Sequence, residues 1–164
     1  MLFRSYDTYL TRYIGYDDRG SFNAMLTDAG KPDRARDPNF IAALCNAKQH
    51  AFVEVMEDGI ESYPGVPAFI DHVAAHMPIA IASGATTEDI EIALKKLGLR
   101  DRFEIIVSAD FVTASKPDPA TYRLAVEKLA ASHAKLKIEP GDCLSIEDTA
   151  AGVASAREIG RAHV

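Results

Sequence analysis

A short apolar run at residues 143–146 stops at two adjacent carboxylates, Glu147 and Asp148, and a helical pattern starts directly after Thr149. This order predicts a strand, a tight turn and a helix, with both acids at the carboxyl end of the strand, where ligands bind in open α/β sheets. Two neighbouring carboxylates there are costly without a positive partner, and Mg²⁺ is a suitable one when phosphate is also present. Capping of the following helix by Asp148 or Thr149 is the alternative explanation.

Two further polar features follow apolar runs in the same way. Ser83 and Gly84 lie between an apolar run at 78–82 and a helical pattern at 87–97, and a hydroxyl with free backbone N–H groups there can bind an anion. A simple turn with a helix cap explains the same residues. Lys116 lies between two stiffening prolines and a serine, in Ser115-Lys-Pro-Asp-Pro119, just before a helical pattern. It is a candidate ligand for a phosphate or a carboxylate, although a lone lysine is usually a solvated charge.

Beyond residue 62 the strand and helix patterns alternate, which predicts an α/β domain with a parallel sheet. Predicted strands lie at 78–82, 103–107 and 143–146, and predicted helices at 66–76, 87–97, 118–130 and 150–159. We expect no strand after Gly160, because the chain ends almost at once. Parallel strands would bring the hydroxyl, the lysine and the acid pair to one edge of the sheet. Such a site suits phosphoryl transfer, in which positioning and charge stabilisation supply most of the catalysis.

The first third of the chain has helical spacing only, with a polar loop predicted at 31–38. A segment rich in proline and glycine, residues 62–67, predicts a hinge between an all-helical domain (residues 1–61) and the α/β domain (residues 62–164). Residues 158–164 also match the translation of one frame of a common sequencing adapter. We expect these residues not to be native, which reading the native gene past this point would test.

The charge balance excludes some partners. A formal net charge of −6 and a pI of about 5.3 argue against nucleic acid, whose phosphates need a basic surface. A small phosphorylated ligand needs only one or two local cations. No apolar run is long enough to cross a bilayer, and the first residues lack the apolar stretch of a signal peptide, so we expect a cytoplasmic protein with no membrane partner.

Several motifs together resemble the haloacid dehalogenase (HAD) superfamily, in the branch of β-phosphoglucomutase-like phosphatases with a helical cap. The matching segments are Tyr63-Pro-Gly-Val66, Ile81-Ala-Ser-Gly84, Ser115-Lys-Pro-Asp-Pro119 with Tyr122, and Ile146-Glu-Asp-Thr-Ala-Ala-Gly-Val153. The resemblance covers nearly the whole chain. It implies a Rossmann-like core with a parallel sheet, covered by the helical domain as a cap.

The resemblance also implies roles for particular residues. Ser83, with the Gly84 backbone, would bind the phosphoryl group, and Lys116 would neutralise the phosphate and the nucleophile. Glu147 and Asp148 would hold Mg²⁺, although the family usually has serine where Thr149 stands. Arg19, in a turn that matches the substrate-reading region of the cap, is a candidate substrate contact.

One element of the family pattern is absent. The family nucleophile is the first aspartate of an Asp-x-Asp-Gly pattern after an N-terminal strand, and no such pattern occurs in these 164 residues. We therefore expect a chain that starts within the cap and lacks the first core strand and the nucleophile. The full-length parent would hydrolyse a small phosphomonoester, such as a sugar phosphate, through an aspartyl-phosphate, and this chain would be inactive alone. A β-phosphoglucomutase-type isomerase, a non-catalytic phospho-ligand binding module and a domain whose acid pair and lysine are only structural remain as alternatives.

Overall fold

The N-terminal part of the chain is helical. The computed structural model describes the backbone of residues 5–163 and the side chains of residues 5–160. The first four helices are α1 (Tyr6–Arg12), α2 (Asp18–Asp28), α3 (Pro32–Ala35) and α4 (Pro38–Glu57). Ser5, Asp17 and Asp37 cap α1, α2 and α4, because each side chain accepts a hydrogen bond from an otherwise unpaired backbone N–H. The predicted loop at 31–38 is wrong in part, since Pro32 starts the single-turn helix α3.

Strands and helices alternate in the second part, as predicted. The helices are α5 (Val66–Ala74), α6 (Thr87–Lys96), α7 (Ala120–Ser132) and α8 (Ala150–Arg157), and the strands are β1 (Ala80–Ala82), β2 (Ile105–Val107), β3 (Leu144–Ile146) and β4 (Arg161–His163). Gly98 follows the end of α6 with a φ of 68°, in the left-handed region that glycine adopts at helix ends. In the described part of the chain, no helix is both long and apolar enough to cross a membrane.

The sheet differs from the single three-stranded sheet that the sequence predicts. β1 pairs in parallel with β2, with Ala80 opposite Ile105, and β3 pairs in parallel with β4, with Leu144 opposite Arg161. The two pairs are separate two-stranded sheets. The α/β class with parallel strands is confirmed, but the strands are distributed over two pairs.

The expectation of no strand after Gly160 is wrong, because the backbone turns back at this residue and runs along β3 as β4. A Cβ atom at Gly160 would overlap the carbonyl group of Pro140. Only glycine permits this close approach of two backbones, and the approach brings a three-residue strand into register with β3.

The buried core is built on the β1–β2 pair. One cluster joins α6 to the segment that leads into β2 (Ile90, Leu94, Leu99 and Phe103), and a second joins β2 to α7 (Ile105, Val107 and Ala125). The strand predicted at 143–146 forms as β3, but its apolar side chains are not in the core, since Leu144 is 64% exposed and Ile146 is 69% exposed. Among the described strands, β3 also has a neighbour on one edge only.

Contacts between described residues join the helical part to the α/β part at Lys48 and at Gly15. Lys48 of α4 binds Asp18 of α2 at 3.1 Å and the buried Asp89 of α6 at 2.6 Å. Gly15 lies against Ala151 of α8, so that a Cβ atom on the glycine would come within 2.5 Å of the alanine Cβ. The turn between α1 and α2 therefore lies beside the first turn of α8.

We predict that Asp110→Asn destabilises the fold in a pH-dependent way. Asp110 Oδ2 accepts a hydrogen bond of 2.7 Å from the backbone N–H of Thr87, the first residue of α6. This bond, with further hydrogen bonds from Thr87 and Ser108, lowers the pKa of Asp110. The loss should be about 1 kcal/mol or less at about pH 7, the usual size of a helix cap. Urea unfolding at several pH values measures it.

The sign of the pH dependence follows from the lowered pKa. The contribution of Asp110 is fully present above the unfolded-state pKa of about 3.9 and is lost as the pH falls through the lower folded-state pKa. The difference between wild type and Asp110→Asn should therefore shrink towards about pH 3. Glu127→Gln, at an exposed position of α7, is the matched control. A difference that does not change with pH would contradict the assignment.

Candidate functional site

Ser83 and Gly84 follow β1 directly. The Ser83 backbone N–H donates to the carbonyl of Val107, which extends the β1–β2 pairing by one residue, and its Oγ accepts a hydrogen bond from Ala85 N–H at 3.1 Å. Thr86 caps α6, so a helix cap does follow this loop, as the turn-and-cap explanation expects. A Cβ atom on Gly84 would lie 3.9 Å from the Tyr16 carbonyl, so this loop faces the turn between α1 and α2.

Lys116 is held in the interior. Its side chain is 10% exposed, and its Nζ lies 2.5 Å from Glu147 Oε2, 3.3 Å from the carbonyl oxygen of Ala82 and 4.8 Å from the centre of the Tyr122 ring. Ala82 is the last residue of β1 and Glu147 is the first residue after β3. One ammonium group thus joins the carboxyl ends of β1 and β3, two strands that are not paired with each other.

The Glu147 carboxylate, 8% exposed, has a donor at each of its acceptor positions. Oε2 accepts from Lys116 and from the Tyr122 hydroxyl at 2.6 Å, and Oε1 accepts from the backbone N–H and the hydroxyl of Thr149 at 3.2 Å and 2.9 Å. Burial alone would raise the pKa of Glu147. The hydrogen bonds from Lys116 and Tyr122 and the charge of Lys116 have the larger, opposite effect, so the pKa is lowered overall and the carboxyl stays ionised.

Asp148 has the opposite environment. It is exposed and forms no hydrogen bond or ion pair with any described residue. The cap of α8 is Thr149, whose hydroxyl accepts from Gly152 N–H at 3.0 Å, so Asp148 is not needed for that role. The two acids therefore differ. Glu147 already accepts hydrogen bonds at both oxygens, whereas the Asp148 carboxylate is free to bind a ligand.

The carboxylates of Glu147 and Asp148 do not complete a metal site by themselves. Among the described side chains, no group of three or more His, Cys, Asp or Glu residues could hold a metal ion. Mg²⁺ takes about six oxygen ligands, some of them water. Asp148 offers one open carboxylate, and Glu147 could bind a metal ion only by exchanging one of its present donors.

Arg19 lies apart from these residues. It occupies the first turn of α2, its side chain is exposed, and it has no hydrogen bond or ion pair with a described residue. The structure thus joins Lys116 and Glu147 directly and places Ser83 next in the chain to a Lys116 contact. It does not bring Arg19 to them.

Two residues of this arrangement were not assigned a role from the sequence. Tyr122 ends the motif that contains Lys116, and its position two residues into α7 is the signal that could have identified it. Gly152 lies against the Glu147 side chain, so that a Cβ atom there would overlap the carboxylate. A glycine in the first turn of a helix, where alanine is the better helix former, is the corresponding signal.

We predict that Gly152→Ala displaces the Glu147 side chain and lowers the free energy of unfolding by about 1–3 kcal/mol, since the added methyl group has no space. Gly141→Ala is the matched control, because a Cβ atom at Gly141 meets no atom within 4 Å. Urea unfolding of both variants measures the difference. Equal stability of the two variants would show that the Glu147 side chain does not lie against Gly152.

Comparison with known proteins places the chain among hydrolases. The sequence model of the haloacid dehalogenase-like hydrolases matches residues 9–160. The chain is 35% identical to Protein CbbY of Rhodobacter capsulatus over 127 residues, which are 73% of this chain and 52% of that protein. It is 30% identical to the fructose-1-phosphate phosphatase YqaB of Escherichia coli strain K12 over 118 residues, 72% of this chain and 58% of YqaB. The chain thus spans little more than half the length of these relatives.

Solved structures share the fold. CbbY of Rhodobacter sphaeroides in complex with phosphate is 25% identical, with a TM-score of 0.71, over 90% of this chain and 64% of that one. A β-phosphoglucomutase from Clostridium difficile is 19% identical, with a TM-score of 0.71, over 88% of this chain and 62% of that one, and this second likeness shows the fold alone. With the family model covering nearly all of its length, the chain belongs to the haloacid dehalogenase-like hydrolases.

Proposed function

We propose that the chain is the larger part of a HAD-type phosphatase that hydrolyses a small phosphomonoester, such as a sugar phosphate, through an aspartyl-phosphate in the longer protein. The observation that carries the proposal is the position of Lys116, a buried ammonium group held at the carboxyl ends of β1 and β3. A preorganised charge at this edge of the strands is what phosphoryl transfer requires. Phosphatases among the relatives support the reaction class.

In this proposal Ser83 and the Gly84 backbone bind the phosphoryl group, and Lys116 neutralises it and the nucleophile. The turn between α1 and α2 covers the loop at Gly84, which supports a role of the helical part (residues 1–61) in reading the substrate above the core (residues 62–164). Arg19 lies in the first helical turn after that segment, and we propose it as the substrate contact.

The metal in this proposal is Mg²⁺, held by Asp148 and, after exchange of a donor, by Glu147. When bound, the ion would neutralise charge on the transferred phosphoryl group. Asp148 supports this part of the proposal because its carboxylate is exposed and has no partner among the described residues. The remaining ligands would have to come from water, the phosphate and residues outside these 164.

The nucleophile is proposed to lie on a strand that is not in this sequence. No two aspartates are separated by one residue anywhere in the chain. Within the described part of the chain, β1 and β3 are each paired on one edge only, and Lys116 contacts the end of both. A strand inserted between them would pair with the free edges of both and would end beside Lys116. The two curated relatives are longer than this chain and have room for such a strand outside the matched region.

Two other functions use the same residues. A β-phosphoglucomutase-type isomerase would need the same phosphate site and metal, and the fold neighbours include such a mutase. A phospho-ligand binding module is favoured by the absence of an Asp-x-Asp pattern. In each case the partner is a small phosphorylated metabolite, and we propose the cytoplasm as the location.

We predict that the 164-residue chain does not hydrolyse p-nitrophenyl phosphate in the presence of Mg²⁺, because the attacking carboxylate is absent. The longer protein, with the segment that carries the nucleophile, should release phosphate at a measurable rate under the same conditions. Release of p-nitrophenol by the chain alone, abolished by Asp148→Ala, would contradict the proposal. An inactive longer protein that still binds phosphate in calorimetry would favour the binding module.

In the longer protein, Lys116→Ala should lower kcat/KM by about tenfold or more, as expected for loss of a preorganised charge. Lys95→Ala is the control, since Lys95 is an exposed lysine at the end of α6. Steady-state kinetics with a sugar phosphate measures both. A kcat/KM near that of the parent in Lys116→Ala would refute the role of this lysine.

A further inference from the structure

Tyr122 contacts both members of the buried ion pair. Its hydroxyl donates to Glu147 Oε2 at 2.6 Å and lies 3.5 Å from Lys116 Nζ, which is also above the tyrosine ring at 4.8 Å. The residue is 9% exposed and lies in the first turn of α7. Its position is therefore fixed by the helix and the core.

The Tyr122 hydroxyl helps to fix the position of the Glu147 carboxylate. Oε2 has two donors, Lys116 and Tyr122, while Thr149 binds Oε1. Without the tyrosine hydroxyl, Oε2 would depend on the flexible lysine side chain alone. Gly152 leaves the space into which the glutamate fits, so the carboxylate is held by Tyr122, by Thr149 and by the shape of α8.

We infer that Tyr122 is a positioning residue: by fixing the Glu147 carboxylate, it holds the Lys116 ammonium at the strand ends. The significance of this position for phosphate binding rests on the proposed function, but the positioning itself does not. Tyr122 touches no reacting atom in this arrangement and acts through Glu147. The inference divides the acid pair into Glu147, which holds the lysine, and Asp148, which is open to a ligand.

The test measures how well Lys116 is held in the 164-residue chain. A small amine-reactive acetyl ester labels lysines, and mass spectrometry gives the rate at each one. Lys116 should react much more slowly than Lys95, whose side chain is 68% exposed, and Lys95 serves as the internal reference. Tyr122→Phe keeps the ring and removes only the hydroxyl. It should raise the ratio of Lys116 to Lys95 labelling about fivefold or more, as expected for loss of a hydrogen bond to a charged group.

Tyr13→Phe is the matched control variant. Tyr13 is also buried, and its hydroxyl donates to the carboxylate of Asp28 at 2.7 Å in the helical part of the chain. The Tyr13→Phe variant should lower the free energy of unfolding about as much as Tyr122→Phe does, without changing the ratio of Lys116 to Lys95 labelling. An unchanged ratio in Tyr122→Phe, or an equal rise in Tyr13→Phe, would overturn the inference.

Should Tyr122→Phe fail to fold, Glu147→Gln gives a second measurement. This variant keeps the shape of the side chain and removes its charge, so Lys116 labelling should rise as well. A wild-type ratio in Glu147→Gln would show that this carboxylate does not hold the lysine. None of these measurements needs a metal, a phosphate or turnover. Failure of the Lys116→Ala prediction in the longer protein would therefore count against the proposed function alone.

Discussion

The buried ion pair of Lys116 and Glu147 is the interaction on which the arrangement of this site depends. Both side chains are about nine-tenths removed from water, so each charge needs the other, and loss of either partner of such a pair costs about 3–5 kcal/mol. The two parallel strand pairs share no backbone hydrogen bonds. The lysine bridges them, because it binds the end of β1 through Ala82 and the end of β3 through Glu147.

The small residues around this pair follow from the need to satisfy a buried carboxylate. Thr149 serves twice, as the cap of α8 and as a double donor to Glu147. Gly152 allows the glutamate to lie against the helix. In α8 itself, Ser155 Oγ donates to the carbonyl of Asp118 at 2.7 Å, which joins this helix to the loop that carries Lys116. The site is therefore built from the contact of α7, α8 and two strand ends.

The sequence predicted the elements better than their pairing. Helix caps and apolar spacing are local signals, and they located α5, α6 and β1 within a few residues. The distribution of strands over two pairs depends on which edges find partners, and the return of the chain at Gly160 depends on a contact with Pro140. Neither the strand pairing nor the contact at Gly160 can be predicted from a local sequence pattern. In the site, the residue types at Lys116 and Glu147 were recognisable, but their mutual contact is a tertiary feature.

The bridge formed by Lys48 bears on how the helical part can move. Asp89 is buried at the start of α6, directly after the Ser83 loop, and Lys48 of α4 is its counter-charge. Swinging α4 away would leave a carboxylate in the interior without a cation, which is strongly unfavourable until water reaches it. Any opening of this interface is thus coupled to hydration of Asp89, and the ion pair with Lys48 favours the closed arrangement.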